Sequence, residues 1–429
     1  MRLDPENFTS AFAARFEEAG FRMAERKIAE LDRLRAVSPP PRVRLRRRLA
    51  TGGRFTGIFL WDTAFCTRWA QYRPDRFPLF DSLDNLYRLR SPEGFISREY
   101  QADGKVYWSS EHPVAFAPPL LAWAELELFR AGVSDLARLR RVFPALRRHH
   151  GFCRAHYRRD ADGLYFGDAL GCGMDDLPRM PLAPRPELAH AGIDFEPRFI
   201  LADDKKMWKY IEGKPLYSWN RQMGWIDMSS QMALDAECLA EIAAALGHPR
   251  LASSFRAEHA DLARRINEFC WDEARGFYFD RCGGGVIPRY HAGAFWTMIA
   301  GVVPPERAGR VVETLCDPAV FDRLVPLAAL GADDPGFDPE AGYWRGAVWP
   351  PTTYIALLGL RRIGAESVAV DFARRTYNAY AELFRTTGGF WENISCEQFD
   401  RPKERSNGEH CGWSLLVPVN IAREFPAIF

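Results

Sequence analysis

Apolar residues recur at helical spacing along most of the chain. Between Asp4 and Ala36 they fall three or four positions apart, and Asp4-Pro5 has the composition of an N-cap followed by the first helical residue. The same pattern returns in further segments, which are separated by turns rich in Gly, Pro and Asn. The sequence therefore predicts roughly twelve helices arranged as six antiparallel pairs.

A second regularity lies in the junctions between these helices. Aromatic and acidic residues precede every second predicted helix, with a spacing of about 50 to 60 residues. Six helical hairpins laid side by side can close into a double ring, the (α/α)6 toroid, whose inner helices all point the same way. We therefore predict an all-α fold with a few short hairpins, a single domain over residues 1–429, and junctions that open on one end of the ring.

The Pro-rich and polar stretch 181–220 does not fit the helical pattern. Segments of this length without secondary structure are uncommon in compact domains and often serve as lids or binding loops. We predict an inserted, lid-like loop there.

Charge and composition narrow the choice of partner. The chain has 57 basic and 56 acidic residues, a net charge of +1, which gives no electrostatic case for nucleic acid or an anionic membrane. We find neither an apolar run of the roughly 18 residues that a membrane span needs nor a basic leader followed by an apolar run. Nine cysteines occur without a C-x-x-C pair. These features predict a cytoplasmic protein with a small ligand, and they leave the oligomeric state open.

One short loop concentrates acidic residues, the segment Gly171-Cys172-Gly173-Met174-Asp175-Asp176-Leu177-Pro178-Arg179. Glycine supplies backbone freedom, and Pro178 keeps its neighbour out of the helical region, so the loop can hold the two adjacent acids in a fixed position. A turn-capping role is the structural alternative. Glu409, in the last aromatic junction, is a further candidate.

Asp175 and Glu409 together suit acid–base chemistry on a glycoside. One carboxylic acid protonates the leaving oxygen, and a second carboxylate activates water. A shared, partly buried pocket would raise the pKa of the acid by burial and like-charge repulsion. We therefore predict Asp175 as general acid and Glu409 as general base, with the alternative that Asp176 exchanges roles with Asp175.

Aromatic and polar residues in the other junctions suit sugar rings, because a flat aromatic face stacks on the ring while polar groups bind its hydroxyls. Histidines are more often structural than catalytic or metal-binding here, so we predict neither a metal nor a cofactor. The predicted substrate-binding residues are Phe59, Trp61, Asp62, Trp108, His112, Asp176, Trp225, Tyr343, Trp344, Arg345, Trp349, Trp391 and Trp413.

Four ordered motifs in the chain resemble glycoside hydrolase family 63. Gly173 to Arg179 resembles the family's Ser-Gly-x-Asp-Asp-Tyr-Pro-Arg loop, and Gly342 to Pro350 resembles its Tyr-Trp-Arg-Gly-Pro-x-Trp segment. Asn407 to Trp413 is similar to its Gly-x-Glu loop, which is followed by Gly-Trp-Ser or Gly-Trp-Thr. Trp61-Asp62-Thr63-Ala64-Phe65 is similar to a Trp-Asp-(Ser/Thr)-x-Phe motif of the bacterial members and of trehalases. Two positions differ, since Cys172 stands at a usual Ser and Leu177 at a common Tyr.

The resemblance implies an inverting, exo-acting α-glycosidase with a toroid domain and no metal-dependent step. It implies Asp175 as general acid, Glu409 as general base, and a sugar subsite lined by Trp61, Asp62 and Tyr343 to Arg345. The chain length is closer to bacterial hydrolases of mannosylglycerate and glucosylglycerate than to the large processing glucosidases. The alternatives are a sugar isomerase or epimerase with bases among His112, His291 and His410, a non-catalytic sugar-binding protein, and a phosphorolytic enzyme.

Overall fold

The computed structural model describes residues 3–37, 45–107, 116–167, 171–179 and 223–429. The predicted lid-like loop 181–220 and the predicted site residues Trp108 and His112 lie outside these ranges. Within them, no helix combines the length and the apolar character needed to cross a membrane.

The described part of the chain is mostly helical, and the predicted order of helices is confirmed. Inner helices of the final arrangement are α2 (Leu60–Ala70), α4 (Leu121–Arg130), α6 (Ile226–Ala245), α8 (Trp296–Ile299) and α10 (Pro350–Arg362). Outer helices are α1 (Ser10–Val37), α3 (Leu79–Leu89), α5 (Leu136–Tyr157), α7 (Pro249–Phe269), α9 (Pro305–Leu315) and α11 (Glu366–Thr387).

The sixth inner element is the C-terminal inner segment, residues 413–424. It is irregular: a 3-10 turn at Trp413–Leu416 is followed by a π turn at Val417–Ile421 and a last α turn, α12 (Ala422–Glu424). Pro418 removes one backbone donor inside this segment, which is consistent with its departure from regular α geometry.

The six inner elements form a closed ring. Each inner helix contacts the next inner helix along the chain, from α2 through α4, α6 and α8 to α10. α10 contacts the C-terminal inner segment, and that segment contacts α2, which closes the ring. Outer helices α3, α5, α7 and α11 pack on the inner helices that precede them, and α1 packs on the C-terminal inner segment. This is the predicted (α/α)6 toroid.

Burial explains which helices are inner. Every residue of α2 is buried, whereas α7 buries three residues along one face. A helix that is buried on all sides lies in a core, and one with a single apolar stripe lies at the surface. α3 begins at Leu79, and residues 74–77 before it form a turn in which the backbone N–H groups of Arg76 and Phe77 donate to Arg73 O.

Short antiparallel strands lie at the loops. Three isolated pairs are β1 (Ile58–Phe59) with β2 (Glu99–Tyr100), β4 (Trp271–Asp272) with β5 (Phe277–Tyr278), and β8 (Ala347–Val348) with β9 (Ile394–Ser395). One three-stranded sheet has the order β3-β6-β7, formed by β3 (Met223–Gly224), β6 (Asp280–Cys282) and β7 (Gly285–Ile287). The β6–β7 pair is a short hairpin that turns between Cys282 and Gly285. Two of the pairs, β1–β2 and β8–β9, fix the loops that carry the candidate site.

Candidate functional site

A cavity of about 210 Å³ opens where loops enter the inner helices. Its lining comes from six separate parts of the described chain, as expected if the junctions meet at one end of the ring. Predicted residues in the lining are Phe59, Trp61, Asp62, Asp175, Tyr343, Trp344, Trp349 and Trp413. Lining residues that were not among the predicted site residues are Thr51, Phe55, Arg98, Glu99, Gly171, Gly173 and Glu392.

Aromatic rings form much of the wall. Trp344 and Trp349 stack with ring centroids 3.8 Å apart, and Tyr343 packs edge-on against Trp349 at 4.7 Å. Trp413 adds an edge contact to Trp349 at 6.0 Å. Because these rings hold one another in place, the wall is preorganised for a flat, partly apolar ligand such as a sugar ring.

Asp62 lies in the first turn of α2 and is buried. Burial raises its pKa to about 7, and this is only partly offset by its own backbone N–H, by the Thr51 hydroxyl and by the charge of Arg98. The position at a helix N-terminus favours a carboxylate. Asp62 is therefore placed to accept hydrogen bonds from ligand hydroxyls within the cavity.

Asp175 reaches the cavity from the loop 171–179. Gly173 has a φ of +78°, and a Cβ at that position would lie 3.5 Å from the Trp61 indole. A glycine with positive φ lets the loop pass directly over this ring. The turn is closed by the Leu177 N–H, which donates to Met174 O at 3.1 Å.

Glu392 is the acid that the sequence reasoning missed. It lines the cavity with 5% of its surface exposed, and its Oε1 accepts a hydrogen bond from the Tyr343 hydroxyl at 3.0 Å. Burial raises the pKa of Glu392 to about 8; Tyr343 lowers it, and the neighbouring Asp175 and Asp62 raise it further. The available signal in the sequence is its place directly after Trp391, itself a predicted site residue.

Glu409, the predicted general base, does not line the cavity. Its side chain is 64% exposed and accepts a hydrogen bond from Lys27 Nζ of α1 at 2.8 Å. That hydrogen bond, followed by the charge of Lys27, holds the pKa of Glu409 below its usual range. Its backbone O accepts from the Gly53 N–H at 2.8 Å, which fixes the loop with the side chain turned outwards. The expectation that the Glu409 carboxylate faces the pocket is wrong.

Asp176 lies behind the cavity wall, not in its lining. Its buried carboxylate accepts backbone N–H groups of Tyr343 at 3.4 Å and Trp344 at 2.5 Å. Arg405 donates to it at 3.3 Å, and Arg345 Nε lies 3.6 Å away. Asp176 and Arg345 therefore position the Tyr343-Trp344 loop, although both were predicted to contact substrate.

Two predicted tryptophans also lie elsewhere. Trp225 is buried, and the Arg179 guanidinium stacks on it at 4.2 Å from the indole centroid. Arg179 also forms an ion pair with Asp227 at 2.5 Å. Trp391 donates from Nε1 to the Thr387 hydroxyl at 2.9 Å at the end of α11. Neither ring is part of the described cavity lining.

The cavity is acidic, with one internal ion pair. Asp62, Asp175 and Glu392 line it together with Glu99, and Arg98 Nη2 lies 3.0 Å from Glu99 Oε2. Like charges in a low-dielectric pocket cannot all ionise, so protons are retained near neutral pH. Such a set can both donate a proton to a leaving oxygen and accept one from water. Among the described residues, no group of three or more His, Cys, Asp and Glu side chains is placed to hold a metal ion.

Comparison with known proteins gives a family match over most of the chain. The model of the mannosylglycerate hydrolase MGH1-like glycoside hydrolase domain matches residues 57–414. A mannosylglycerate hydrolase from Rubrobacter radiotolerans is 33% identical over 192 residues, which cover 43% of this chain and 40% of that protein. The chain spans 60% of the length of another curated relative, from Borreliella burgdorferi.

Solved structures give the same fold. The GH63 mannosylglycerate hydrolase from Thermus thermophilus in complex with glucose superposes with a TM-score of 0.67 at 19% identity, covering 92% of this chain and 99% of that one. The neutral trehalase Nth1 from Saccharomyces cerevisiae superposes with a TM-score of 0.64 at 16% identity, covering 89% and 76%. The family match spans most of the chain, so this protein belongs to the mannosylglycerate hydrolase MGH1-like glycoside hydrolases.

Proposed function

We propose that the protein is an inverting, exo-acting α-glycosidase that releases an α-glucosyl or α-mannosyl unit from a small glycoside or oligosaccharide. The observation that carries the proposal is the pair of carboxylates, Asp175 and Glu392, which reach one aromatic-lined cavity from separate loops. A cavity of about 210 Å³ matches a single sugar ring with part of its aglycone better than a long polymer. Similarity to a mannosylglycerate hydrolase and to a trehalase supports a small α-linked substrate.

Asp175 acts as general acid and Glu392, in place of Glu409, as general base. Asp175 gives its proton to the glycosidic oxygen as the C1–O bond breaks. Glu392 takes a proton from a water whose oxygen bonds to C1 from the opposite face, which inverts the anomeric centre. A pKa of about 8 makes the ionised form of Glu392 a strong base for this step, and the hydrogen bond from the Tyr343 hydroxyl holds its Oε1 in place.

Asp62 and the aromatic wall hold the sugar. Trp61 and Trp344 offer ring faces in the cavity, and Asp62 offers acceptors for hydroxyl groups. The chemistry needs proton transfer between carboxylates and water alone, so we expect activity to persist in a chelator. We further propose a cytoplasmic location, because none of the nine cysteines, all of which lie in the described ranges, forms a disulfide. Fractionation of the source cells would test that placement.

The decisive experiment is an NMR time course on a panel of α-glucosides and α-mannosides that includes glycerate conjugates and disaccharides. We expect the β anomer of the released sugar to appear first, in phosphate-free buffer, and to mutarotate later. First appearance of the α anomer would contradict inversion, and strict phosphate dependence would indicate phosphorolysis. If no member of the panel releases sugar while one binds, the protein is a sugar-binding module. Epimerised sugar without a released aglycone would identify an isomerase.

The isomerase alternative has little support in the described residues. Histidine bases at the pocket would favour it, but the described lining holds no histidine. His291 is buried beside Asp280, with Nε2 3.2 Å from Oδ2, and His410 lies behind Glu392. His112 lies outside the described ranges.

A further inference from the structure

The turn after Glu409 holds the backbone on either side of the proposed base. Trp413 Nε1 donates to Glu392 O at 3.0 Å, and the Ser414 hydroxyl donates to Trp391 O at 2.8 Å. His410 lies between these anchors and is fully buried. The residues that fix the main chain of Glu392 thus bring an imidazole ring next to its side chain.

The hydrogen bonds determine which ring nitrogen of His410 carries the proton. Nδ1 lies 3.2 Å from Ser414 Oγ, and the proton of that hydroxyl is already donated to Trp391 O. Ser414 Oγ must therefore accept from Nδ1–H, which leaves Nε2 without a proton. Nε2 is buried, has no hydrogen-bond partner in the described part of the chain, and lies 4.0 Å from Glu392 Oε1.

We propose that His410 is a positioning residue for the proposed base, presenting an unprotonated ring nitrogen that accepts a hydrogen bond from Glu392 whenever Glu392 is protonated. A side-chain movement of about 1 Å closes the gap to hydrogen-bond range. The lone pair of Nε2 favours the protonated acid and disfavours the carboxylate, so Glu392 becomes a stronger base. This inference rests on the role proposed above for Glu392.

Other groups also act on Glu392, and they are distinct from His410. The Tyr343 hydroxyl and the charge of Arg54 favour the ionised form, whereas Asp175 and Asp62 favour the protonated one. Burial lowers the pKa of His410 itself to about 3, so the ring stays neutral while Glu392 titrates. His410 therefore acts as a hydrogen-bond acceptor and not as a second acid.

A test without substrate separates this inference from the proposed activity. The chain has nine histidines, so 15N-histidine labelling gives a resolvable spectrum, and His410→Gln identifies the signal. We expect the Nδ1–H tautomer, with an Nε2 resonance that shifts over the pH range in which Glu392 titrates and stays constant in Glu392→Gln. An Nε2–H tautomer, or the same pH response in Glu392→Gln, would overturn the proposal. The His410 signal is assigned as the one that disappears in His410→Gln, or in His410→Asn if the first variant does not fold. Once it is assigned, the Glu392→Gln measurement needs no further variant.

A kinetic test follows once a substrate is in hand. In His410→Gln the amide N–H can donate to Glu392 and favour its carboxylate form, so the pKa of Glu392 should fall. We expect the low-pH limb of kcat/KM to move down by about one pH unit and kcat to fall about 10-fold. A purely structural role would reduce the amount of folded enzyme without moving the limb, and an unmoved limb with normal folding counts against the proposal. If no glycoside is cleaved, the NMR result still decides the inference.

Discussion

Glu392 and Glu409 lie on neighbouring extended segments, yet only one reaches the cavity. The segments are joined by hydrogen bonds from Phe390 N to Gly408 O at 2.8 Å and from His410 N to Phe390 O at 2.9 Å. Glu392 is buried beside Tyr343, whereas Glu409 points to Lys27 at the surface. The environment raises the pKa of the first and lowers that of the second. The contrast shows that a carboxylate next to a conspicuous motif need not face the site.

Removing each carboxylate in turn should have the largest effect and tests directly which of the two glutamates acts at the site. Glu392→Gln and Asp175→Asn should lower kcat by about 10³-fold or more, because each removes a proton-transfer group. Glu409→Gln, the matched control, should stay within about 3-fold of the parent, since an exposed ion pair has little effect at a distance. Rates are measured on the substrate found by NMR. A large loss in Glu409→Gln with full activity in Glu392→Gln would reverse the assignment.

The hydrogen bond from the Tyr343 hydroxyl distinguishes the environment of Glu392 from that of Glu409. Tyr343→Phe removes the donor at 3.0 Å from Glu392 Oε1, so the pKa of Glu392 should rise further. We expect kcat to fall about 10- to 100-fold, as for the loss of a hydrogen bond to a charged group, and the low-pH limb to move up. Profiles of kcat/KM against pH check this. A limb that stays in place would mean that Tyr343 acts only through substrate contact.

The contributions of Glu392 and Glu409 to stability should change with pH in opposite directions. The folded pKa of Glu392 is about 8 against an ordinary value of 4.5, so its contribution to stability is present below pH 4.5 and is lost as pH rises towards 8. Glu392→Gln should therefore gain stability over the parent on going from about pH 5 to pH 8, by about 2 °C or more in Tm.

Glu409→Gln serves as the opposite control in the same melts. The lowered pKa of Glu409 stabilises the fold above its ordinary value of 4.5, and this is lost as pH falls through the folded pKa. The variant should thus be slightly less stable than the parent near neutral pH and equal to it in acid. Parallel behaviour of the two variants would contradict the assigned environments.

The smallest expected effect comes from the partner of Glu409. Lys27→Met removes the exposed ion pair and should cost about 0.2 to 1 kcal/mol of unfolding free energy, with kcat unchanged. The cost should diminish at high salt because screening weakens such pairs. Denaturant unfolding at two salt concentrations measures it, and loss of activity in a stable Lys27→Met protein would link Glu409 to the site after all.

The fold and much of the pocket could be predicted from the sequence. Helical periodicity indicates the order of the helices, and aromatic junctions such as Trp61-Asp62 and Tyr343-Trp344 do meet in the cavity. These junctions precede inner helices, so the topology alone directs them to one end. Asp175 could also be identified, because the Gly- and Pro-containing loop 171–179 that carries it fits neither a helix nor a strand.

The orientation of individual side chains could not be predicted in this way. Asp175 and Asp176 are adjacent, but one faces the cavity and the other holds the backbone of Tyr343 and Trp344. Glu409 lies in the more conspicuous motif, yet Lys27 on α1, far away in the chain, provides its partner. Such choices depend on contacts between distant segments, which spacing along a single sequence does not reveal.

The closed ring also has a consequence for how the chain folds. The C-terminal inner segment packs on α2 and on α1, so segments more than 300 residues apart in sequence must meet before the ring is complete. Contacts between residues so far apart in sequence carry a large loop-closure entropy and form slowly. During synthesis the first five inner helices emerge without their final neighbour, and the cavity wall that includes Trp413 is completed only after residues 413–424 have left the ribosome.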